Sequence, residues 1–146
     1  MQRRPLPMTK PHVLLRIASI LALLFAAGHS AGAPWTPAKG MAEQALVSMM
    51  KSLHFDAMGA QRTYYDFYFG FGVSISVYLI AQALILWQAG DVAKVSPAAA
   101  RPIMLTLLAS YVAVGVITYM YFFAAPLVFS AVICVLIAWA WLKAGG

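Results

Sequence analysis

The chain has 146 residues, 63% of them apolar and only 10% charged, with a net charge of +6 and a mean hydropathy of +0.82. Soluble domains run at roughly 45–50% apolar and 25% charged, so a water-soluble globule is excluded, and scarce charge beside plentiful aromatics excludes a disordered chain. The single cysteine, Cys134, permits neither an intramolecular disulfide nor a cysteine-based metal framework, which leaves one integral membrane domain over 1–146.

About 20 apolar residues in a helix cross the ~30 Å hydrocarbon core. Three long runs lack Asp, Glu, Lys and Arg: Ile17–Ala38, Phe67–Gly90 and Pro102–Leu142. The first two are each one helix long. The third is roughly 60 Å as continuous helix, twice the membrane thickness, and must fold back. Pro126 supplies the break, since proline removes a donor and disfavours helix at the preceding residue. Four spans are therefore predicted, at about 12–31, 64–89, 102–123 and 126–143. No run alternates as a transmembrane strand would, and backbone in lipid must satisfy itself within a helix.

The first span has a rival reading as a secretory signal peptide. Arg3, Arg4, Lys10 and Arg16 resemble its basic region, Ile17–Ala27 its apolar region, and Ala31-Gly32-Ala33 its cleavage site. Pro34 fits poorly where a peptidase must cut, so a retained span is expected. Between the first two spans, Pro34-Trp35-Thr36-Pro37 forms a rigid lead-in, with Thr36 as N-cap and Pro37 as first helical residue. A helix follows over about 37–53. Ala42, Leu46, Met49 and Leu53 recur on one side with Met50 beside them; Glu43, Gln44, Ser48, Lys51 and Ser52 lie on the other. This amphipathic, methionine-rich helix is expected on the outer membrane surface, either as a lid on the bundle or as a grip for a lipid tail or partner helix.

Helices in lipid associate where small residues let backbones approach. The candidate stripes are Ala18, Ala22, Ala26 and Ser30 with Gly28 and Gly32; Gly70 and Ser74 with Gly72 and Ser76; Ala109 and Ala113 with Thr106 and Ser110; and Ser130, Cys134 and Ala138. Together they predict a tight bundle, in which Cys134 is a packing residue.

Topology follows from charge. Arg3, Arg4, Lys10, Arg16, Lys94, Arg101 and Lys143 fall on one side, and only Lys39, Lys51 and Arg62 on the other, which places both termini in the cytoplasm. Aromatics at the span ends agree, with Trp87, Trp139 and Trp141 inside, and Trp35, Tyr64, Tyr65, Tyr68, Tyr119, Tyr121, Phe122 and Phe123 outside. Topology and lipid headgroups thus account for the positive charge, and no nucleic-acid partner is implied.

The candidate binding residues gather on the outer side: His29, Trp35, His54, Asp56, Arg62, Tyr65 and Asp66. Structural readings stand beside them. Thr63 and Asp66 match a capping box, Arg62 and Asp66 are spaced to pair along a helix, and His29 can hydrogen-bond a neighbouring helix end. Histidine with carboxylate can bind metal or pass protons, but the spacing matches no ligand pattern, and no catalytic residue, metal or cofactor is assigned. No acid lies mid-membrane, which weighs against a proton-coupled exporter. Nucleotide-binding, nucleophile-elbow and zinc-protease motifs are absent, and Gly70-Phe71-Gly72 reads as helix packing.

Two segments, Gly28-His29-Ser30-Ala31-Gly32 through Trp35 and Arg62-Thr63-Tyr64-Tyr65-Asp66-Phe67-Tyr68-Phe69-Gly70-Phe71-Gly72, resemble a family of small bacterial integral membrane proteins with four predicted helices. Tyr65 departs from that pattern, which has tryptophan there. The resemblance implies that the two motifs pack together where span one meets span two, and it brings no chemistry with it. The expected fold is all-α, a membrane-embedded antiparallel four-helix bundle with an outer amphipathic helix between spans one and two. The expected function is non-enzymatic, in the bacterial cytoplasmic membrane, binding a lipid-like molecule or a membrane partner on the outer side. The alternatives are a redox or metal-dependent enzyme using His29, His54 and Asp66, and a small channel or transporter formed by a homo-oligomer, its pore lined by Ser74, Ser76, Thr106 and Ser110.

Overall fold

Proline sets two of the breaks between helices. A computed structural model describes residues 10–32 and 35–145; Arg3, Arg4, Ala33 and Pro34 lie outside the described residues. The elements are α1 (Pro11–Gly32), α2 (Gly40–Ser52), β1 (His54–Ala57), β2 (Ala60–Thr63), α3 (Tyr64–Val95), α4 (Pro97–Tyr121) and α5 (Ala124–Lys143). All but α2 among these helices are long and apolar enough to cross a bilayer. The fold is all-α apart from the small hairpin, and it is consistent with a four-helix bundle.

Helix boundaries differ from expectation in instructive ways. The turn between α4 and α5 falls at Phe122 and Phe123, both extended, rather than at Pro126. A helix continued through Pro126 would set its ring against the carbonyl four residues back, that of Phe122, so the break must come there. Pro126 then occupies the first turn of α5, where its missing N–H leaves nothing unsatisfied. Between α3 and α4 the expected linker of 90–101 is almost wholly helical. Only Ser96 remains, extended as the N-cap, with Pro97 at the first position of α4.

The described residues fall into two compact units, one comprising the chain up to Phe25 with Leu79 onward, the other Ala26–Tyr78. In the first, four helical segments are tied in a ring. The Ser19 hydroxyl donates to Ala83 O at 2.7 Å, joining α1 to α3. Gln82 Nε2 donates to Ser110 Oγ at 3.1 Å, joining α3 to α4. Gly115 on α4 faces Ser130 on α5, and Phe25 stacks on Phe129 with centroids 5.2 Å apart, closing α5 onto α1. Arg16 pairs with Asp91 and lies 3.4 Å from the Trp87 ring centroid, while Arg101 lies 4.1 Å from that of Trp141. The contacts Gly115–Ser130 and Arg101–Trp141 run in opposite chain directions, so α4 and α5 are antiparallel.

The core is built of Leu14, Leu15, Ala18, Ala22, Ala83, Leu86, Met104, Tyr111, Ile133 and Ile137 among its buried side chains. The small-residue reading succeeds on α1, where Ala18, Ala22 and Ala26 are buried. It fails for Gly28 and Gly32, since no described residue lies within 4 Å of where their Cβ atoms would be. On α4 the buried face is Ala100, Met104, Leu107, Tyr111 and Thr118, while Ala109 and Ala113 are exposed. On α5, Ser130 is buried as expected, but Ile133, Ile137 and Ala140 replace Cys134 and Ala138 as its buried companions. The Tyr111 and Ser130 hydroxyls are buried without a partner among the described residues.

These assignments separate two alanines. Ala22→Leu forces three extra carbons into a closed contact and is expected to destabilise by about 1–3 kcal/mol. Ala109→Leu adds them to an exposed face and is expected to stay within about 0.5 kcal/mol. Thermal unfolding of both variants in detergent checks the assignment, and equal losses would contradict it.

Candidate functional site

The second unit joins the end of α1, α2, the hairpin and the first half of α3. The hairpin was not anticipated. β1 and β2 pair antiparallel, with His54 opposite Thr63 and Ala57 opposite Ala60. Met58 and Gly59, both at positive φ, form the two-residue turn, as the twist of paired strands demands. The Asp56 carboxylate accepts from the Gly59 N–H at 2.7 Å, so its role is to hold the turn.

Immediately after β2 the chain becomes α3 through a reciprocal cap. Thr63 N–H donates to Asp66 Oδ2 at 2.8 Å, and Asp66 N–H donates to Thr63 Oγ1 at 3.1 Å. This is the capping box expected from the sequence. The expected Arg62–Asp66 pair does not form. Arg62 belongs to the strand, not the helix, and its Nη1 donates to Gln61 O.

The first four turns of α3 present two faces. One carries Tyr65, Phe69, Gly72 and Ser76, and it meets the end of α1. His29 Nε2 lies 3.0 Å from Gly72 O, and since a carbonyl only accepts, that nitrogen carries the proton. Ser30 Oγ donates to Ser76 Oγ at 2.9 Å. The Trp35 indole donates to Ser30 O and meets Phe69 edge-on, with centroids 6.0 Å apart. The two motifs singled out in the sequence therefore touch at these residues. His29 bonds a carbonyl inside the neighbouring helix rather than at its end. Tyr65 packs against Tyr68 and Phe69, with Lys51 Nζ 4.4 Å from its ring centroid.

The other face carries Asp66, Phe67, Gly70, Phe71 and Ser74. With Ala57, Ala60 and Arg62 of the hairpin it lines an open groove of about 410 Å³. Phe55 anchors the hairpin beside it, packing on Tyr64 and Phe67 with centroids 5.0 and 5.6 Å away. Of the expected binding residues the groove gathers Arg62 and Asp66 alone. His54 is exposed and donates from Nδ1 to Ser52 O, while His29, Trp35, Asp56 and Tyr65 are engaged as described. Among the described residues, no three His, Cys, Asp or Glu side chains gather as a metal site requires.

The sequence reading missed Phe67, Gly70, Phe71 and Ser74. Their helical spacing is the available signal, but Gly70 and Ser74 fit a helix-packing stripe equally well. Its Cβ would meet nothing within 4 Å, which places it on the groove and not at a helix contact. The loop helix also differs. Lys39 is its N-cap, with its N–H bonded to Glu43, and the Thr36 hydroxyl donates to Gly32 O at 2.7 Å instead of capping. No residue of α2 is buried; Met41, Leu46, Met49 and Leu53 are exposed, and Val47 and Met50 are only partly covered. No protein-family model matches the chain, and neither a curated protein nor a solved structure matches it.

If the reciprocal cap fixes the junction of hairpin and helix, Thr63→Ala and Asp66→Ala should each cost about 0.5–2 kcal/mol. The double variant should lose less than the sum, because the two bonds form one unit. Thermal unfolding and amide exchange in the first turn of α3 read both effects. Unchanged exchange in either single variant would refute the cap's role.

Proposed function

We propose that the chain is a multi-pass protein of a bacterial cytoplasmic membrane, both termini cytoplasmic, that binds a lipid-like molecule on its outer side and is not an enzyme. Four apolar helices of spanning length and the excess of Lys and Arg on the inferred inner side support the topology. The groove between the hairpin and α3 carries the functional reading. It is open along an aromatic wall and flanked by polar groups at the start of an apolar helix, the arrangement expected for a molecule with a polar head and an apolar body.

His29 and His54 are both committed to backbone carbonyls, which favours binding over redox or metal chemistry. The hydroxyls of Ser76, Thr106 and Ser110 likewise have protein partners, which is poor support for a pore lined by them. A second reading, a membrane protein or a second copy as partner, draws on the exposed apolar side of α2. Under the first reading that side rests on the membrane surface, as amphipathic helices do. The resemblance to small bacterial membrane proteins is part of this proposal and rests on its two motifs.

Native mass spectrometry after extraction in a mild detergent tests the reading. The expected spectrum shows the full chain with retained lipid, lost when Gly70→Leu fills the groove. A bare chain under conditions that preserve lipid on control membrane proteins would overturn it.

A further inference from the structure

The groove holds two opposite charges that form no ion pair with each other. Arg62 and Asp66 both line it, yet the ion pair found among the described residues is Arg16–Asp91, elsewhere in the chain. The reason is local. Arg62 lies within β2 and turns one N–H to Gln61 O, whereas Asp66 is turned by the helix and accepts from the Thr63 N–H with Oδ2. Asp66 Oδ1 and the other guanidinium N–H groups of Arg62 have no bond to another described residue. Both side chains are exposed and open to a ligand.

We propose that the groove takes the headgroup of a zwitterionic phospholipid that carries a primary ammonium. This inference rests on the lipid-binding reading above and names the lipid class. Arg62 donates to the phosphate, the partner for which a guanidinium is best shaped. Asp66 Oδ1 accepts from the ammonium. A headgroup with phosphate alone would meet the Asp66 carboxylate unfavourably, and one with a cation alone would meet Arg62 unfavourably. The zwitterion satisfies both.

Beyond the charges the lining is aromatic or small, with the Ser74 hydroxyl its one further polar group. Phe67 and Phe71 stand one turn apart with ring centroids 5.9 Å from each other, so an acyl chain can lie along them. Ala57, Ala60 and Gly70 leave the room, since none projects beyond a methyl group. Tyr64 and Tyr68 on the same turns are exposed, as aromatics at headgroup level are. A quaternary ammonium, lacking N–H, cannot donate to Asp66 and is the weaker ligand.

The test uses the full chain in nanodiscs of equimolar phosphatidylethanolamine, phosphatidylglycerol and phosphatidylcholine, released for native mass spectrometry. Phosphatidylethanolamine should be retained about tenfold over phosphatidylglycerol, the factor that ~1.4 kcal/mol corresponds to. Arg62→Gln and Asp66→Asn should each erase that preference, and Asp66→Asn still offers an oxygen to the Thr63 cap. Gly70→Leu should abolish retention, and open space at that position lets the variant fold. Soluble phosphoethanolamine at millimolar concentration should not displace the lipid, because it lacks the chains. If the three lipids are retained equally, or if the two charge variants keep the preference, the inference fails while lipid binding stands. If no lipid is retained at all, both fall. Displacement by phosphoethanolamine would assign the groove to a soluble zwitterion and overturn the lipid assignment.

Discussion

Close approach of α1 to α3 is the constraint on which the first unit depends. A serine hydroxyl reaches only one bond beyond Cβ, so the 2.7 Å contact from Ser19 to Ala83 O requires two helix backbones almost in touch. Ala18 and Ala22 on α1 and Ala83 on α3 make that approach feasible, because no larger side chain intervenes. Without a hydrophobic driving force between helices in lipid, such packing and interhelical hydrogen bonding are what hold a bundle. The ring then closes through larger groups, with Gln82 to Ser110 and Phe25 on Phe129. At one end Arg16, paired to Asp91 and stacked on Trp87, fixes the α1–α3 register.

The second unit uses the same device with different chemistry. His29 and Ser30 reach Gly72 O and Ser76 Oγ, again at two small residues of the neighbouring helix. That leaves the opposite face of α3 free to meet the hairpin. The cap at Thr63 and Asp66 joins strand to helix without an intervening loop, and it decides which way the Asp66 carboxylate turns. One oxygen of that carboxylate joins hairpin to helix, while the other has no partner among the described residues.

Much of this was legible in the sequence, because the signals were long-range in composition and strong. Uncharged apolar runs gave the four long helices, and Thr63 to Asp66 gave the cap. The stripe Ala18–Ala22–Ala26 announced the buried side of α1. Other positions were ambiguous for physical reasons. Gly70 and Gly72 are two residues apart, hence on different sides of a helix, and spacing alone does not say which side meets a neighbour. Ala109 and Ala113 have the right spacing but face outward, because Met104, Leu107 and Tyr111 fill the α4 contact better. The hairpin was hidden in a stretch of eight paired residues whose turn is Met-Gly rather than Asn-Gly or Asp-Gly. Arg62 and Asp66 have the spacing of a helical pair, but α3 begins two residues after Arg62, so that spacing does not bring them together.

The central claim is that the hairpin and the far end of α3 face opposite sides of a membrane. Single cysteines placed at Met58, the exposed turn, and at Val95, the exposed last residue of α3, test it in spheroplasts after Cys134→Ala. A membrane-impermeant maleimide should label position 58 in intact spheroplasts and position 95 only after permeabilisation. Equal labelling of both sites in intact spheroplasts, or labelling of 95 with protection of 58, would contradict the account.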